Sequence, residues 1–378
     1  MCRRVPPNAS GFRAQQSSAL PTFSLPASTL DEKQQFNDQK AHPLSGLTEP
    51  TPLPRIDLPG FPSTLPHMSI PLQHIGILGA GQMGAAAAVM FRRAGFHVSL
   101  WTRSEAGLNA AQPVMEAVDR FLDHHFGTSP TQTGSVSLER NLEKVDTNSD
   151  AVLECVVEDM GEKCALLSKL QSCRKRDALI MSCTSALSIT DMASGSGMEP
   201  VLVGAHFWNP PHLIPVVEIV AGKLTPAHQA DRAYALMEKL GKQPVRCTDV
   251  PGFVGNRLMH AMWREALSLV DAGVCTAEDI DRVVKGTFAL RLPALGPMEN
   301  MDLVGLALVE RVERYLLPHL ATNAAPAKAL TQRLKDGQGG MKDGHGFYDW
   351  TQRDAAKLVA LRDTQIVRQL RFLSSEGT

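Results

Sequence analysis

The sequence predicts an α/β fold in which a doubly wound parallel sheet is followed by an all-α domain. Between residue 74 and about residue 250, short apolar segments alternate with longer segments of helical periodicity, which is typical of consecutive βαβ units. A glycine-rich turn at 79–84 joins the first apolar segment to the first helical one. After Pro251-Gly252 only helical periodicity is left, so a helical domain is expected to begin there.

Apolar runs rich in Val, Ile and Leu predict the strands of the sheet. These runs lie at 74–79, 96–101, 151–157, 178–181, 201–205 and 216–220, with a further one near 244–247. Helices are predicted at 82–94, 253–272, from Thr276 onward, at 301–317 and at 355–373. Thr276 is expected to cap its helix because a hydroxyl followed by acids in the first turn satisfies the free N–H groups there.

The composition excludes several functional classes. The 378 residues carry 38 basic and 39 acidic side chains, so no strongly basic surface is expected for nucleic acid or an anionic membrane. No apolar run is long enough to span a bilayer. The seven cysteines are scattered and contain no Cys-x-x-Cys pair, which indicates free thiols of a reducing, cytoplasmic compartment and neither a metal site nor a disulfide framework.

The first 67 residues differ from the rest of the chain. They are rich in Pro, Ser and Thr and contain no acidic residue before Asp31. Three interpretations stay open: a disordered extension, a transit peptide that uses Arg3, Arg4 and Arg13 for mitochondrial targeting, or a true start at Met68. In each case residues 1–67 are not expected to belong to the fold.

The glycine loop Gly79-Ala80-Gly81-Gln82-Met83-Gly84 predicts a dinucleotide site. It follows a strand, opens a helix and lies in a β-loop-α-β unit of the length found in Rossmann-type domains. Gly79 permits the tight turn, Gly81 lets the backbone approach a pyrophosphate, and Gly84 lets helix pack on strand. The helix N-terminus then supplies unpaired N–H groups and partial positive charge for the phosphates.

The end of the second strand leaves NAD and NADP both open. An NAD site usually has an acidic residue here for the ribose hydroxyl, whereas this chain has Thr102-Arg103. Arg103 is suited to pair with a 2′-phosphate, and Thr102 offers a hydroxyl donor. The local chemistry therefore favours NADP, although an arginine at a strand end is often a solvated surface charge.

A histidine and a glutamate predict the catalytic pair. His206 ends the apolar strand at 201–205, and Glu218 lies twelve residues later inside the next apolar run. A carboxylate among β-branched residues is costly to bury without a partner, and a neighbouring imidazole would supply one. Such a pair suits oxidation of a secondary alcohol, in which the histidine takes the hydroxyl proton as hydride leaves carbon.

Ordered motifs along residues 73–350 make the chain resemble the 3-hydroxyacyl-CoA dehydrogenase family, whose members bind NAD. The motifs are GAGQMG at 79–84, LECVVE at 153–158, SCTSAL at 182–187, HFWNP at 206–210 with Glu218, PGFVGNR at 251–257 and GHGFY at 344–348. The resemblance implies a dinucleotide-binding domain at 68–250, a helical substrate and homodimerisation domain at 251–350, and a C-terminal helical tail at 351–378.

The resemblance also implies roles for individual residues. His206 becomes the general base and Glu218 its orienting carboxylate, while Ser185 and Asn256 hold the substrate oxygens. Further residues are expected to contact the cofactor: the loop residues Gly79, Gly81, Gln82, Met83 and Gly84, the strand-end residues Thr102 and Arg103, and, at the nicotinamide half, Glu158 and Asn209.

Three departures from the family pattern bear on cofactor and substrate. Thr102-Arg103 replaces the acid that favours NAD. The segment 105–126 contains Pro113 and no lysine, whereas this region of the acyl-CoA enzymes carries lysines near the CoA; its acids are Glu105, Glu116, Asp119 and Asp123, against Arg120. The doubled proline at 210–211 is similar to branches that act on CoA-free substrates, such as carnitine dehydrogenase, gulonate dehydrogenase of the lambda-crystallin type and a pyridine-carboxylate dehydrogenase.

The leading hypothesis is an NAD(P)-dependent 3-hydroxyacyl-CoA dehydrogenase of fatty acid metabolism that converts a 3-hydroxyl into a 3-keto group. The same chemistry on a CoA-free hydroxy acid or alcohol is the first alternative. A non-catalytic, lambda-crystallin-like binding or structural protein is the second. The intact set of His206, Glu218, Ser185 and Asn256 favours an enzyme, because no structural role requires all four together.

Overall fold

The computed structural model describes residues 72–127, 134–172, 174–175 and 177–376, without the side chains of 373–376. The expected extension or targeting segment at 1–67 lies outside these residues. Within them, eight strands form one sheet in the order β3-β2-β1-β4-β5-β6-β7-β8. The strands are β1 (His74–Leu78), β2 (His97–Trp101), β3 (Val136–Glu139), β4 (Ala151–Glu154), β5 (Leu179–Ser182), β6 (Leu202–Phe207), β7 (Val216–Ala221) and β8 (Gln243–Thr248).

The predicted doubly wound sheet is confirmed. From β3 to β6 all neighbouring strands are parallel, and the chain moves outward from β1 to β2 and β3 before it returns to β4 on the other side of β1. The strand order therefore reverses between β1 and β4. In open α/β sheets a crevice for a ligand lies at such a reversal, outside the carboxyl ends of the strands.

The sheet departs from the parallel arrangement at one place. β7 pairs antiparallel with β6, and β8 then pairs parallel with β7. Only residues 208–215 connect β6 to β7, and so short a connection cannot hold the crossover that parallel neighbours need. This reversal brings the predicted catalytic residues side by side, because His206 and Glu218 are direct cross-strand partners.

The strand β3 was not predicted from the sequence. It is an edge strand of four residues, VSLE, with two residues exposed and two half-buried. An edge strand buries little apolar surface, so its sequence need not show the continuous apolar run that marks the central strands. By contrast, β4 and β5 are buried at every position.

Helices cover both faces of the sheet. The helices of the sheet domain are α1 (Gln82–Arg93), α2 (Glu105–Phe126), α3 (Leu142–Asn148), α4 (Met160–Leu170), α5 (Ile189–Ser196) and α6 (Ala227–Lys239). Phe91, Leu100 and Leu153 belong to a buried cluster on one face, which Ala233 of α6 joins. A second cluster on the other face contains Leu167 of α4. The two apolar faces hold the carboxyl ends of the central strands in fixed register.

The C-terminal part is helical, as predicted. Its helices are α7 (Gly255–Asp271), α8 (Ala277–Gly286), α9 (Pro297–Val304), α10 (Leu306–Leu316), α11 (Lys328–Lys335) and α12 (Ala355–Glu376). The cap at Thr276 is confirmed, since its hydroxyl accepts from the backbone N–H of Asp279. None of the helices among the described residues is long and apolar enough to cross a membrane.

Two details of the helical part differ from the predictions. The helix expected at 301–317 is two helices, because Gly305 between α9 and α10 has a φ of +94°, which ends one helix and starts the next in a new direction. The short helix α11 was not predicted, and its eight residues include only one that is buried. Its sequence therefore shows little of the apolar periodicity by which helices are recognised.

Candidate active site

The glycine loop has the geometry of a cofactor cradle. Gly79 has a φ of +110°, and a Cβ there would lie 2.7 Å from the carbonyl oxygen of Cys155. A Cβ on Gly84 would lie only 1.8 Å from the carbonyl oxygen of Gly79, so the loop closes on itself only with glycine at this position. In contrast, a Cβ on Gly81 would meet no protein atom within 4 Å. Gly81 therefore borders open space on the side where a ligand would approach.

The first turn of α1 fits an anionic group. Gly81 is the N-cap residue and provides no side-chain hydrogen bond, and the first turn contains no acid. Gln82 is exposed and Met83 is half-buried beside it. Unpaired N–H groups at a helix N-terminus, together with the partial positive charge of the helix, attract phosphate. The residues present thus fit the pyrophosphate of a dinucleotide.

The residues expected at the adenosine side are partly engaged with the protein. The guanidinium of Arg103 is 3.0 Å from Glu162 in α4, and both side chains are largely exposed. Thr102 directly follows β2 and is half-buried, and Ser104, two residues further, caps α2 through its hydroxyl. Arg103 thus has an acidic partner within the chain, which weakens the sequence argument that it binds a 2′-phosphate.

His206 and Glu218 form a buried hydrogen-bonded pair. Nδ1 of His206 lies 2.7 Å from Oε2 of Glu218. Each residue is only 3% exposed, so little water is present to screen their interaction. Because Nδ1 is engaged, Nε2 is the ring nitrogen left to exchange a proton.

The second carboxylate oxygen of Glu218 is also satisfied. Oε1 accepts from the backbone N–H groups of Val254 and Gly255 at 2.9 and 3.0 Å, at the start of α7. Burial opposes ionisation of this acid, but the hydrogen bonds from His206 and from the two backbone groups outweigh it and lower the pKa of Glu218. Ionised Glu218 therefore stabilises the fold above its ordinary pKa of 4.5, and that stability is lost as the pH falls through the lowered value.

Aromatic rings enclose the imidazole. Trp208 and Phe253 have ring centroids 5.1 and 5.7 Å from that of His206. Phe253 is fully buried and has a φ of +48°, an uncommon value for a side chain of this size. A Cβ on Gly255 would lie 2.2 Å from the Trp208 ring, so the start of α7 packs directly on this indole. The motif at 251–257 thus closes one side of the histidine.

Ser185, Asn256 and Glu158 lie close together. The side-chain amide of Asn256 donates to the backbone carbonyl of Ser185 at 2.6 Å. Oε1 of Glu158 accepts from the Thr184 hydroxyl and from the backbone N–H groups of Ser185 and Ala186. Burial opposes the charge of Glu158, but these bonds and nearby Lys163 outweigh it and lower its pKa. Asn209, which follows β6, is exposed.

A buried ion pair next to this group was missed in the sequence. Lys163 of α4 is 1% exposed, and its Nζ lies 2.8 Å from Glu154 and 3.5 Å from Glu158. Burial opposes the charge of Lys163, but the two carboxylates outweigh it and raise the pKa of Lys163. Ser182 adds a hydroxyl that donates to Glu154 at 2.6 Å. The sequence signal for this ion pair was Glu154 at the end of an otherwise apolar strand, because a carboxylate buried there needs a cation nearby.

Both parts of the chain match profiles of known proteins. Residues 74–250 match the family model of the NAD binding domain of 3-hydroxyacyl-CoA dehydrogenase. Residues 252–350 match the family model of the C-terminal domain of 3-hydroxyacyl-CoA dehydrogenase. A 3-hydroxybutyryl-CoA dehydrogenase of Mycobacterium tuberculosis is 32% identical over 293 residues, which is 75% of this chain and 100% of the relative.

Two further similar proteins have names that do not mention CoA. L-carnitine dehydrogenase of Streptomyces coelicolor is 30% identical over 317 residues, which is 81% of this chain and 96% of the relative. The crystal structure of a 5-formyl-3-hydroxy-2-methylpyridine 4-carboxylic acid 5-dehydrogenase, an NAD+ dependent dismutase, has a TM-score of 0.76 and 28% identity. The match covers 80% of this chain and 99% of that chain.

Alanine is expected to have different effects at Gly84 and at Gly81. Gly84→Ala is expected to destabilise the fold by about 1–3 kcal/mol, because its methyl group overlaps the Gly79 carbonyl. Gly81→Ala is expected to leave the melting temperature of the cofactor-free protein unchanged, because its methyl group enters open space, and to weaken NAD binding about tenfold or more. Thermal unfolding and NAD titration check both variants. Equal loss of stability in the two, or undiminished NAD affinity in Gly81→Ala, would contradict this account of the loop.

Proposed function

The chain belongs to the 3-hydroxyacyl-CoA dehydrogenase family, and from that premise we propose that it oxidises a secondary hydroxyl group with His206 as the general base. It is an NAD-dependent dehydrogenase that acts on CH–OH groups, which leaves the non-catalytic alternative without support. The observation that carries the proposed mechanism is the 2.7 Å contact between His206 and Glu218 in a nearly water-free position.

In the proposed reaction, the carbon that bears the hydroxyl loses a hydride toward the cofactor, and the hydroxyl loses a proton to the protein. NAD, when bound, would supply the hydride acceptor for this carbon. The hydroxyl proton goes to Nε2 of His206, and a C=O bond replaces the C–O single bond. Glu218 holds the proton on Nδ1 and balances the positive charge that the ring gains. Trp208 and Phe253 keep water from the ring.

Ser185 and Asn256 are the proposed contacts of the reacting substrate oxygen. Asn256 uses one amide N–H for the Ser185 carbonyl, and the amide carries a second donor. The backbone of Ser185 is fixed in turn by Glu158. We assign Glu158 and Asn209 to the nicotinamide half of the cofactor, with Lys163 holding the Glu158 carboxylate in place.

A 3-hydroxyacyl-CoA is the first candidate substrate, on the basis of the relative that is 32% identical. The charges on α2 bear on this choice. All four acids of the helix lie within ion-pair distance of arginines: Asp119 of Arg92 and Arg93, Asp123 of Arg93, Glu116 of Arg120 and Glu105 of Arg140. These contacts reduce the repulsion that the bare sequence suggested for the phosphates of CoA.

A CoA-free hydroxy compound is the second candidate. The segment of α2 has no lysine, and its single arginine, Arg120, already contacts Glu116. Bound phosphates normally meet cations, so α2 offers little that would hold CoA. The TM-score of 0.76 with a pyridine-carboxylate dehydrogenase adds weight to this candidate, as does the identity with carnitine dehydrogenase.

The functional unit that we propose is a homodimer of the helical domain. No residue of α7, α8, α9 or α10 is buried, although each helix has an apolar side. Large apolar side chains on these four helices are exposed: Leu258, Met262, Trp263, Val283, Met298, Leu303, Val304, Leu306, Leu308, Val312, Tyr315 and Leu316. So many exposed apolar side chains favour a cover from another molecule, and a second copy offers a matching apolar surface.

The dyad predicts distinct effects for its two members. His206→Gln is expected to lower kcat about 10²–10⁴-fold, because the proton acceptor is lost, while NAD affinity stays unchanged. Glu218→Gln is expected to lower kcat less and also to lower the melting temperature, because an amide N–H then faces His206 or the backbone donors of α7. Steady-state kinetics and thermal unfolding provide the readouts, with the exposed α6 residue His228→Gln as control. Wild-type turnover in His206→Gln would remove this histidine from the mechanism.

A substrate comparison separates the two candidates. We expect NADH formation from 3-hydroxybutyryl-CoA at a higher kcat/KM than from free 3-hydroxybutyrate, L-carnitine or a hydroxymethyl pyridine carboxylate. The His206→Gln protein gives the background rate for each compound. Turnover of the free compounds alone would establish the second candidate. A rate no higher than this background for every compound would contradict the proposed dehydrogenase activity.

The dimer predicts a site-specific effect of charge on α10. Val312→Glu places a carboxylate in the middle of the apolar side and is expected to shift the protein from dimer to monomer in light-scattering chromatography. Arg314→Glu introduces the same side chain on the opposite, polar side of α10 and is expected to leave the dimer intact. A wild-type protein that elutes as a monomer would overturn the proposal.

A further inference from the structure

Two cysteines lie next to each other at the carboxyl edge of the sheet. Cys155 follows the last residue of β4, and Cys183 follows the last residue of β5. The parallel register pairs Glu154 with Ser182, so the following residues, Cys155 and Cys183, are also opposite each other. The backbone N–H of Cys183 donates to the Glu154 carbonyl at 2.8 Å, which extends the ladder to this position.

The two thiols point to the same face of the sheet. Side chains alternate along a strand, and Glu154 and Ser182 meet on one face through a 2.6 Å hydrogen bond. Cys155 and Cys183 therefore project together from the opposite face. Both pack against the same buried apolar cluster there, the one that includes Leu153 and Leu179. The two sulfur atoms are close enough for each thiol to influence the ionisation of the other.

This geometry is compatible with a disulfide. Neighbouring strands are about 4.8 Å apart, and disulfides join Cα atoms about 4.4–6.8 Å apart. Both cysteines are free thiols in the structure, and both residues are half-buried. The two cysteines are 28 positions apart in the sequence, so their proximity becomes visible only in the folded sheet.

The surroundings of the two thiols differ. The neighbouring Cys155 thiol is the main cause that lowers the pKa of Cys183; burial opposes it, and the backbone N–H of Phe207 adds to the lowering. The same neighbour contact, together with burial, raises the pKa of Cys155. The thiolate is the reactive form of cysteine, which makes Cys183 the better candidate for the attacking thiol and Cys155 for the resolving one.

The pair lies at the floor of the dinucleotide crevice. β1 and β4 flank the reversal of strand order, and a Cβ on Gly79 would contact the Cys155 carbonyl. Ala80 and Met83 of the glycine loop border the same apolar cluster as the two cysteines. On the other side, Cys183 immediately precedes Thr184 and Ser185, which hold Glu158. A dinucleotide in the crevice would therefore lie against the chain segments that carry both cysteines.

We propose that Cys155 and Cys183 are an oxidation site at which a hydroperoxide forms a reversible disulfide, and that this reaction and NAD binding exclude each other. The Cys183 thiolate attacks one peroxide oxygen, which breaks the O–O bond and gives a sulfenic acid and hydroxide. The Cys155 thiol then attacks the sulfenic sulfur, the S–O bond breaks, and water leaves. The sum is two thiols and one hydrogen peroxide giving one disulfide and two waters.

The proposal uses the NAD site of the family and does not depend on the proposed substrate. Reduced full-length protein is treated with hydrogen peroxide, with and without NAD, and free thiols are then alkylated before peptide mass mapping. A Cys155–Cys183 cross-linked peptide is expected, two mass units below the sum of the reduced peptides. NAD at about ten times its Kd is expected to slow its formation about tenfold, because only the unoccupied protein reacts. The oxidised protein should bind NAD at least about tenfold more weakly, and dithiothreitol should restore the affinity.

Variants test the assignment of the two thiols. Cys183→Ser is expected to abolish the cross-link and the loss of NAD affinity on oxidation, each compared with its own reduced form. Cys275→Ser, which changes another half-buried free thiol, is expected to oxidise like the wild type. A cross-link between other cysteines would overturn the proposal, as would stable oxygen adducts in its place or a rate that NAD does not change. The mapping of the wild-type chain decides these points even if Cys183→Ser fails to fold.

Discussion

The buried carboxylate of Glu218 is the constraint on which the arrangement of the two domains around the active site depends. An ionised carboxyl group at 3% exposure is stable only when its oxygens receive hydrogen bonds or a counter-charge. One oxygen meets the imidazole of β6, and the other meets two backbone N–H groups at the start of α7. The sheet and the first helix of the C-terminal part are therefore joined through the same side chain that orients the histidine.

This constraint explains why the turn before α7 has its particular sequence. The N–H groups of Val254 and Gly255 reach Glu218 only if the chain passes very close to β7, and there Gly255 has no room for a Cβ beside Trp208. Phe253 accepts a left-handed backbone and fills the space beside the imidazole. Asn256 follows at the position from which it reaches the Ser185 carbonyl. The geometry of the proposed catalytic residues and the packing of the two domains thus depend on the same contacts.

Most of the sheet and the contact between His206 and Glu218 could be predicted from the sequence, because these features depend on local patterns. Continuous apolar runs mark strands that are buried on both sides, and a lone acid within such a run marks Glu218. Features that depend on tertiary neighbours could not be predicted. The edge strand β3 lacks the apolar signal, the ion pair of Lys163 joins a helix to a strand end, and the arginines opposite the acids of α2 come largely from α1. The sequence also suggested NADP at Arg103, whereas the family comparisons support NAD and the structure gives Arg103 an acidic partner.

The ends of β4 and β5 show how strand alternation divides one region into two chemical environments. On one face Glu154, Ser182 and Lys163 form a polar network, in which removal of Glu154 or Lys163 deprives the other of its nearest counter-charge. On the other face, one residue further along each strand, Cys155 and Cys183 lie against apolar side chains, and neutral thiols there need no counter-charge. The polar face is therefore constrained by electrostatics, while the apolar face admits any small side chain that fits. A redox-active pair can accordingly occupy the floor of the crevice without disturbing the charges that hold Glu158 and the loop at 183–187.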